Sequence, residues 1–348
     1  MEEPSKSFFL LSGENPILSA AELQHVLEIY GYGWDFHLPV QRVAVATTSS
    51  TARLQAVDRA AFTKMAGILL SHGRTQNIER GNVPFEDEWT DRLPVGFRTF
   101  SVEVVKIGGV DVNSVEVEKK TAAKITSAHP GLRVCLENPD KVFIVVVSPE
   151  AYFFGVLCSV KPRKFFQQRR AGMKPFRLPS ALQPKLARSL VNFSVSSPDS
   201  TVLDPFGGSG AILVEAGLMG HEALGLELKT WICNGMAVNV SHYCPPTCHV
   251  VQGDASRMPF RKAFDSVATD PPYGRSTTLA GLGFKTLLER FFENLFTLLR
   301  PGGRVAIIVP RQEYGSLLDA SKGFKPLQHY DIYVHKSLTR RVVVLKLE

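Results

Sequence analysis

No apolar run in this chain approaches the ~20 residues that a helix needs to cross a bilayer, so no membrane span is expected. The opening residues, Met1 to Pro4, have neither the basic patch nor the apolar core of a secretory leader, and a cytoplasmic location is the default. Cysteine is scarce. Cys135, Cys158, Cys233, Cys244 and Cys248 are all there is, and their spacing is unlike the disulfide framework of a small secreted domain. Their one cluster, His242-x-Cys244-x-x-x-Cys248-His249, invites a zinc reading, yet structural zinc sites usually add a second, distant ligand pair. A loop between a helix and a strand, with no metal, is the plainer expectation. A Cys244–Cys248 disulfide would need an oxidising or hyperthermophilic setting. Repeats and low-complexity tracts are absent. So is Gly-Lys-Ser/Thr, and the glycines do not fall at G-x-G-x-x-G spacing, which removes the common pyrophosphate-binding loops.

Positive charge, by contrast, is in excess. The 40 Lys and Arg against 33 Asp and Glu give a net charge of +7. With a pI near 9.1, that balance favours a polyanionic partner, most simply nucleic acid. A length of 348 residues exceeds one typical domain, so two or three are expected.

The carboxylates follow a pattern. Thr201 to Leu203 reads as a short strand, followed by Asp204-Pro205-Phe206-Gly207-Gly208-Ser209-Gly210 and the helical positions Ile212, Leu213, Ala216 and Met219. A strand, a glycine-rich turn and a helix form the first unit of a doubly wound α/β fold. Asp204 would repel a phosphate where that turn begins, and it suits a cationic ligand instead. The next predicted strand, Glu222 to Leu226, ends at Glu227, the place for an acid that holds ribose hydroxyls. The third, His249 to Gln252, ends in Gly253-Asp254-Ala255, and the fourth, Phe264 to Ala268, runs into Thr269-Asp270-Pro271-Pro272-Tyr273-Gly274. Ligands of open α/β sheets bind outside the carboxyl ends of the strands. Four acids in register on that rim predict a cofactor with positive charge and hydroxyls, and S-adenosylmethionine fits. Each acid alone could equally be a solvated strand end or a helix cap.

The turn at Asp270 has its own chemistry. Two prolines donate no backbone hydrogen bond and fix φ near ~−65°, leaving a stiff turn with bare carbonyls. Asp270 and a proline carbonyl can accept the two hydrogens of an exocyclic amine while Tyr273 stacks on its ring. An aryl amine is a weak nucleophile because its lone pair is delocalised, and acceptors that hold its hydrogens would free the pair. A Pro-Pro turn capped by Asp also occurs in ordinary loops.

Asp204 to Gly210, Gly253-Asp254 and Asp270 to Gly274 resemble the motifs of class I S-adenosylmethionine-dependent amino-methyltransferases. The block Lys174 to Arg188, with Val191-Asn192, is similar to the THUMP-containing tRNA guanine 2-amino methyltransferases that act on position 10. The resemblance is strongest from about Lys174 to Ser276. Gly207 stands where many relatives have Cys, and Ser209 where they have Thr. This resemblance implies an α/β class I methyltransferase domain with a Rossmann-like seven-stranded sheet over 178–348. Before it are expected an α+β ferredoxin-like unit (1–75), a THUMP domain (76–160) and a basic linker (161–177). It implies methyl transfer to the 2-amino group of a tRNA guanine, once or twice, by a cytoplasmic, monomeric enzyme. Asp270, Pro271, Pro272 and Tyr273 would be catalytic. Asp204 to Gly208 and Gly210 would cradle the methionine part of the cofactor, Glu227 the ribose, and Asp254 with Ala255 the adenine.

Ahead of that domain, Phe8 to Leu11 and Val40 to Ala46 read as strands, with helices opened by Asn15-Pro16 and over Leu54 to Leu70. From Arg98 the pattern restarts: strand Phe100 to Val105, helix Ser114 to Ser127, and strands Leu132 to Leu136, Val142 to Val147 and Phe153 to Ser159. Lys119, Lys120, Lys124 and Arg133 could line an RNA path or form a solvated face. In the linker, Lys161, Arg163, Lys164, Arg169, Arg170, Lys174 and Arg177 are candidate phosphate contacts, as is Arg275 beyond the turn. Phe165, Phe166 and Phe176 are expected to dock on neighbouring structure. Other readings stay open: an amino-methyltransferase for adenine or cytosine of DNA or another RNA, one for a glutamine amide of a protein, and a tRNA-binding protein without activity.

Overall fold

The computed structural model describes residues 3–79, 89, 93, 96–258, 260, 264–273 and 283–348. The chain divides into two compact units, Met1–Asp58 with Phe62–Pro162 and Arg59–Ala61 with Arg163–Glu348. Among the described residues no helix is long and apolar enough to cross a membrane.

The first unit runs β1 (Ser5–Leu11), α1 (Pro16–Ile29), β2 (His37–Val40), β3 (Val43–Thr48), α2 (Ser50–Arg59), β4 (Thr63–Arg74) and α3 (Gln76–Glu79). It continues with β5 (Thr99–Lys106), α4 (Ser114–Ala128), β6 (Arg133–Val134), β7 (Lys141–Val147) and β8 (Ala151–Val160). All eight strands share one mixed sheet, in the order β2-β3-β1-β4-β8-β7-β5-β6. Pro16 opens α1, where its missing N–H goes unneeded. Asn113 caps α4 by accepting from the Glu116 amide at 3.3 Å.

Two expectations are corrected here. The helix over Leu54 to Leu70 ends at Arg59, and Thr63–Arg74 is a strand instead. Its apolar run, Ile68-Leu69-Leu70, fits a buried helix and a central strand equally well, and pairing with β1 on one side and β8 on the other decides for the strand. Those same pairings join the two regions expected on either side of residue 75. The strand over Leu132 to Leu136 shrinks to Arg133–Val134, which pairs with β5 alone at the sheet edge.

The second unit contains α5 (Pro184–Ser194), β9 (Val202–Asp204), α6 (Ala211–Leu218), β10 (Ala223–Glu227), α7 (Thr230–Tyr243), β11 (Cys248–Gln252) and β12 (Phe264–Thr269). It ends with α8 (Phe284–Leu298), β13 (Leu299–Pro310), α9 (Tyr314–Ala320), β14 (Phe324–His335) and β15 (Leu338–Leu347). Its seven strands are ordered β11-β10-β9-β12-β13-β15-β14. The first five are parallel, and β15 and β14 close the sheet as an antiparallel pair. Leu203, Val267, Phe291, Leu295 and Ile307 form part of the core where α8 covers the sheet, all of them fully buried. The strand order reverses between β9 and β12. That is the topological switch point, where such sheets open a crevice for ligands.

Candidate active site

β9 and β12 deliver Asp204 and Asp270 to the two sides of this crevice. A cavity of about 780 Å³ opens there, and it is lined by Asp204, Glu227, Asp254, Asp270 and Tyr273. Pro205 to Gly208, Ala255, Pro271 and Pro272 line it as well, so the expected residues converge, except that Gly210 lies behind the loop.

The loop after β9 is anchored through its backbone amides. Phe206 N–H donates to Asp204 Oδ1 at 3.2 Å, Gly207 N–H to the Leu226 carbonyl at 2.8 Å, and Gly208 N–H to Glu227 Oε2 at 3.1 Å. Gly210 turns the chain into α6 at φ +77°, a conformation that L side chains rarely adopt. At Gly207 a Cβ would run into the Met236 sulfur. The room gained by having Gly there is therefore filled by Met236 and is not left to the ligand. Asn239 ties the loop to the preceding segment, donating Nδ2 to the Ser209 carbonyl at 2.9 Å and accepting the Phe176 amide at 2.9 Å.

Asp204 is buried, and it accepts the Thr269 hydroxyl at 2.8 Å. Burial pushes its carboxyl up to about 7, with Asp270 and Glu227 adding to the shift against the hydrogen bonds from Thr269 and Phe206. Glu227 holds Gly208 with one oxygen and the Lys229 amide with the other, at 3.0 Å. Asp254 Oδ1 accepts from the Ser256 amide at 2.8 Å, which fixes its carboxylate on the rim. Acids on three strand ends, a glycine loop and this volume suit S-adenosylmethionine, whose sulfonium and ammonium are cationic and whose ribose carries hydroxyls.

Asp270 is 16% exposed, and its Oδ1 is buried without a hydrogen-bond partner among the described residues. Burial lifts its carboxyl to about 6 against the pull of Arg340. Burial also raises the Tyr273 phenol, so the ring is neutral. Arg340 went unread in the sequence. Its Nη1 lies 3.6 Å from Asp270 Oδ2, and its Cζ sits 5.5 Å from the centre of the Tyr273 ring. The one available signal is topological. β15 runs antiparallel to β13, Arg340 faces Pro310 across the pair, and the start of β15 therefore meets the carboxyl rim.

The basic segment divides. Arg163, Lys164, Arg170 and Arg177 are exposed, and Lys161 is half-buried. Arg169 is committed elsewhere: its Nε is 2.6 Å from Glu215 Oε1, and Arg188 Nε is 2.7 Å from Oε2. The Phe165 ring lies 5.0 Å from both guanidinium carbons. Lys174 is buried with no hydrogen-bond partner for Nζ among the described residues, and burial lowers its pKa to about 8. Neither residue is free for phosphate. Residues 163–177 thus form part of the second unit instead of a tether. Arg275 lies outside the described residues. Cys244 and Cys248 are thiols whose sulfurs lie within 3.8 and 3.7 Å of the Leu213 carbonyl.

Comparison with known proteins places this arrangement. Residues 171–340 match the family described as RMKL-like, methyltransferase domain. The tRNA (guanine(10)-N2)-dimethyltransferase of Methanothermobacter thermautotrophicus is 29% identical over 97% of this chain and 98% of its own. A probable tRNA (guanine(10)-N2)-dimethyltransferase of Methanothermococcus thermolithotrophicus is 32% identical over 47% of this chain and 98% of its own. The chain belongs to the tRNA guanine(10)-N2-dimethyltransferase family. Crystalline TrmN from Thermus thermophilus shares its fold, with a TM-score of 0.55 and 22% identity over 99% of this chain and all of that one.

Proposed function

We propose that the chain methylates the 2-amino group of the guanine at position 10 of tRNA, twice in succession, with S-adenosylmethionine as donor. The observation that carries this reading is Asp270, whose buried oxygen, without a hydrogen-bond partner among the described residues, stands beside Pro271 and Tyr273 in the cavity that also holds Asp204, Glu227 and Asp254. When bound, S-adenosylmethionine supplies an electrophilic methyl group on a cationic sulfur. Asp204 and its glycine loop hold the charged methionine part, Glu227 the ribose, and Asp254 with Ala255 the adenine. Asp270 and the Pro271 carbonyl accept the hydrogens of the guanine amine and turn its lone pair toward the methyl. Tyr273 stacks on the ring of a base drawn out of its surroundings. The proton that the amine sheds passes to Asp270. In such a transfer, positioning is the main catalytic device.

Residues 1–75 as a ferredoxin-like unit and 76–160 as a THUMP-like module supply tRNA capture, with Arg163, Lys164, Arg170 and Arg177 as phosphate contacts. The enzyme acts in the cytoplasm as a monomer. The test is labelled methyl incorporation into tRNA transcripts followed by nucleoside chromatography. Label should appear in dimethylguanosine and vanish when guanine 10 is replaced. Label in methyladenosine would defeat the reading.

A further inference from the structure

Arg340 has no part in the roles given so far. Its guanidinium pairs with Asp270 at 3.6 Å and covers the Tyr273 ring at 5.5 Å, so one group touches both halves of the turn that reads the base. Its Nε is buried without a hydrogen-bond partner among the described residues. We propose that Arg340 is a positioning residue for methyl transfer, keeping Asp270 ionised and aimed while its flat guanidinium props the Tyr273 ring. This rests on the reading of Asp270 as acceptor of the guanine amine.

Only a carboxylate can accept the amine hydrogens and then take a proton. The site is poor for a charge, since burial alone drives the Asp270 carboxyl upward. The groups that face it do not help. Asp204, across the crevice on β9, carries the same sign, and Tyr273 on its own turn is neutral. Glu313, after β13, lines the same cavity and is another acid. Among the described residues, the cations of that lining are Lys229, in the loop after β10, and Arg340. Of the two, it is Arg340 that pairs with Asp270. An opposite charge this close holds a carboxyl down by ~1–3 pH units. A guanidinium over an aromatic face adds an attraction that a neutral side chain cannot replace.

The experiment compares kcat–pH profiles of the full-length protein and its R340K, R340Q and R340M variants on tRNA at saturating cofactor. Methionine keeps the buried stem packed if glutamine does not fold, and cofactor binding by calorimetry checks the fold of each. In R340Q and R340M the acid limb should move upward by about one to two pH units, so that kcat at neutral pH falls about twofold for a one-unit shift and about tenfold for a two-unit shift. R340K should keep the limb and stay within a few-fold of wild type. Carboxyl-carbon NMR of aspartate-labelled protein, with Asp270→Asn to identify the resonance, reads the same shift without turnover. A merely structural arginine would lower kcat and leave limb and resonance in place. That outcome in R340Q and R340M overturns the role. Wild-type label that ignores guanine 10 defeats the guanine reading instead, and the resonance still decides whether Arg340 governs Asp270.

Discussion

The Thr269 hydroxyl donates to Asp204 Oδ1 at 2.8 Å, from the residue just before Asp270. This bond joins the strand that ends at the glycine loop to the strand that ends at the Pro-Pro turn, across the point where the sheet order reverses. Thr269→Val removes a stabilising contact to the charged form of Asp204, so its carboxyl should rise further above about 7. At neutral pH the variant should bind S-adenosylmethionine several-fold more weakly and recover most of that loss at higher pH. Calorimetry at two pH values checks this, and an equal loss at both would mean that Thr269 acts through packing alone.

The pH dependence of the wild type follows the same sign. The folded carboxyl of Asp204 titrates near 7 in place of 3.8, so lowering the pH through 7 protonates it and removes the charge proposed to hold the cationic cofactor. Cofactor affinity should fall as pH drops below 7, approaching about tenfold per unit. Asp204→Asn should bind weakly at every pH. In the cofactor-free protein the folded state holds a proton that the unfolded chain releases, so stability should decline as pH rises from 3.8 toward 7 from this group. A flat affinity profile for the wild type would place the cation elsewhere.

Asp270 and Asp204 should separate in their effects. Asp270→Ala should leave cofactor binding within a few-fold, because its side chain faces the Pro-Pro turn and Arg340. Methylation should fall by about 10²–10⁴, the range for a lost general base. Asp204→Ala should weaken cofactor binding itself. Near-normal turnover by Asp270→Ala would remove that residue from the chemistry.

The four strand-end acids were legible because the α/β pattern fixes where each strand stops, and a residue at that stop has one rim to face. Asp204, Glu227, Asp254 and Asp270 all line one cavity for that reason. Arg340 was not legible. Nothing in Leu338-Thr339-Arg340-Arg341 says which arginine meets Asp270, since adjacent strand residues face opposite ways. Arg341 in fact pairs with Asp331 at 2.7 Å. The fates of Arg169 and Lys174 were hidden likewise, because Glu215 lies far along the chain and only tertiary packing brings it near. Residues 63–74 failed by another route: an apolar run carries no period to tell a central strand from a buried helix.

The cluster around Glu215 yields a stability prediction. Glu215 is 1% exposed and answers both Arg169 and Arg188, themselves 12% and 2% exposed. Glu215→Gln removes the carboxylate that both guanidiniums meet. Breaking a buried pair by removing one partner costs about 3–5 kcal/mol. Denaturant unfolding should show a loss of that order, with cofactor affinity of the folded variant within a few-fold of wild type. A fragment starting at Leu178 lacks Arg169 and Phe165, so it should be less stable than one starting at Arg163. Equal midpoints for the two fragments would contradict the place given to 163–177.

The same segment decides the last prediction, which concerns RNA. Arg163, Lys164, Arg170 and Arg177 are exposed, whereas Lys174 is buried and Arg169 is engaged with Glu215. Phosphate contacts release counterions, so each one lost should reduce the slope of log affinity against log salt by about 0.7–0.9. Replacing the four exposed residues by glutamine should weaken tRNA binding most at low salt and flatten the slope by about 2–3 if most of them reach the backbone. Lys174→Met should leave the slope unchanged, because an amine out of reach of solvent is also out of reach of a phosphate. Filter binding of tRNA over a salt series measures both. If the fourfold variant kept the wild-type slope, the phosphate contacts would belong to the first unit, and the charge on this segment would serve only to keep it in water.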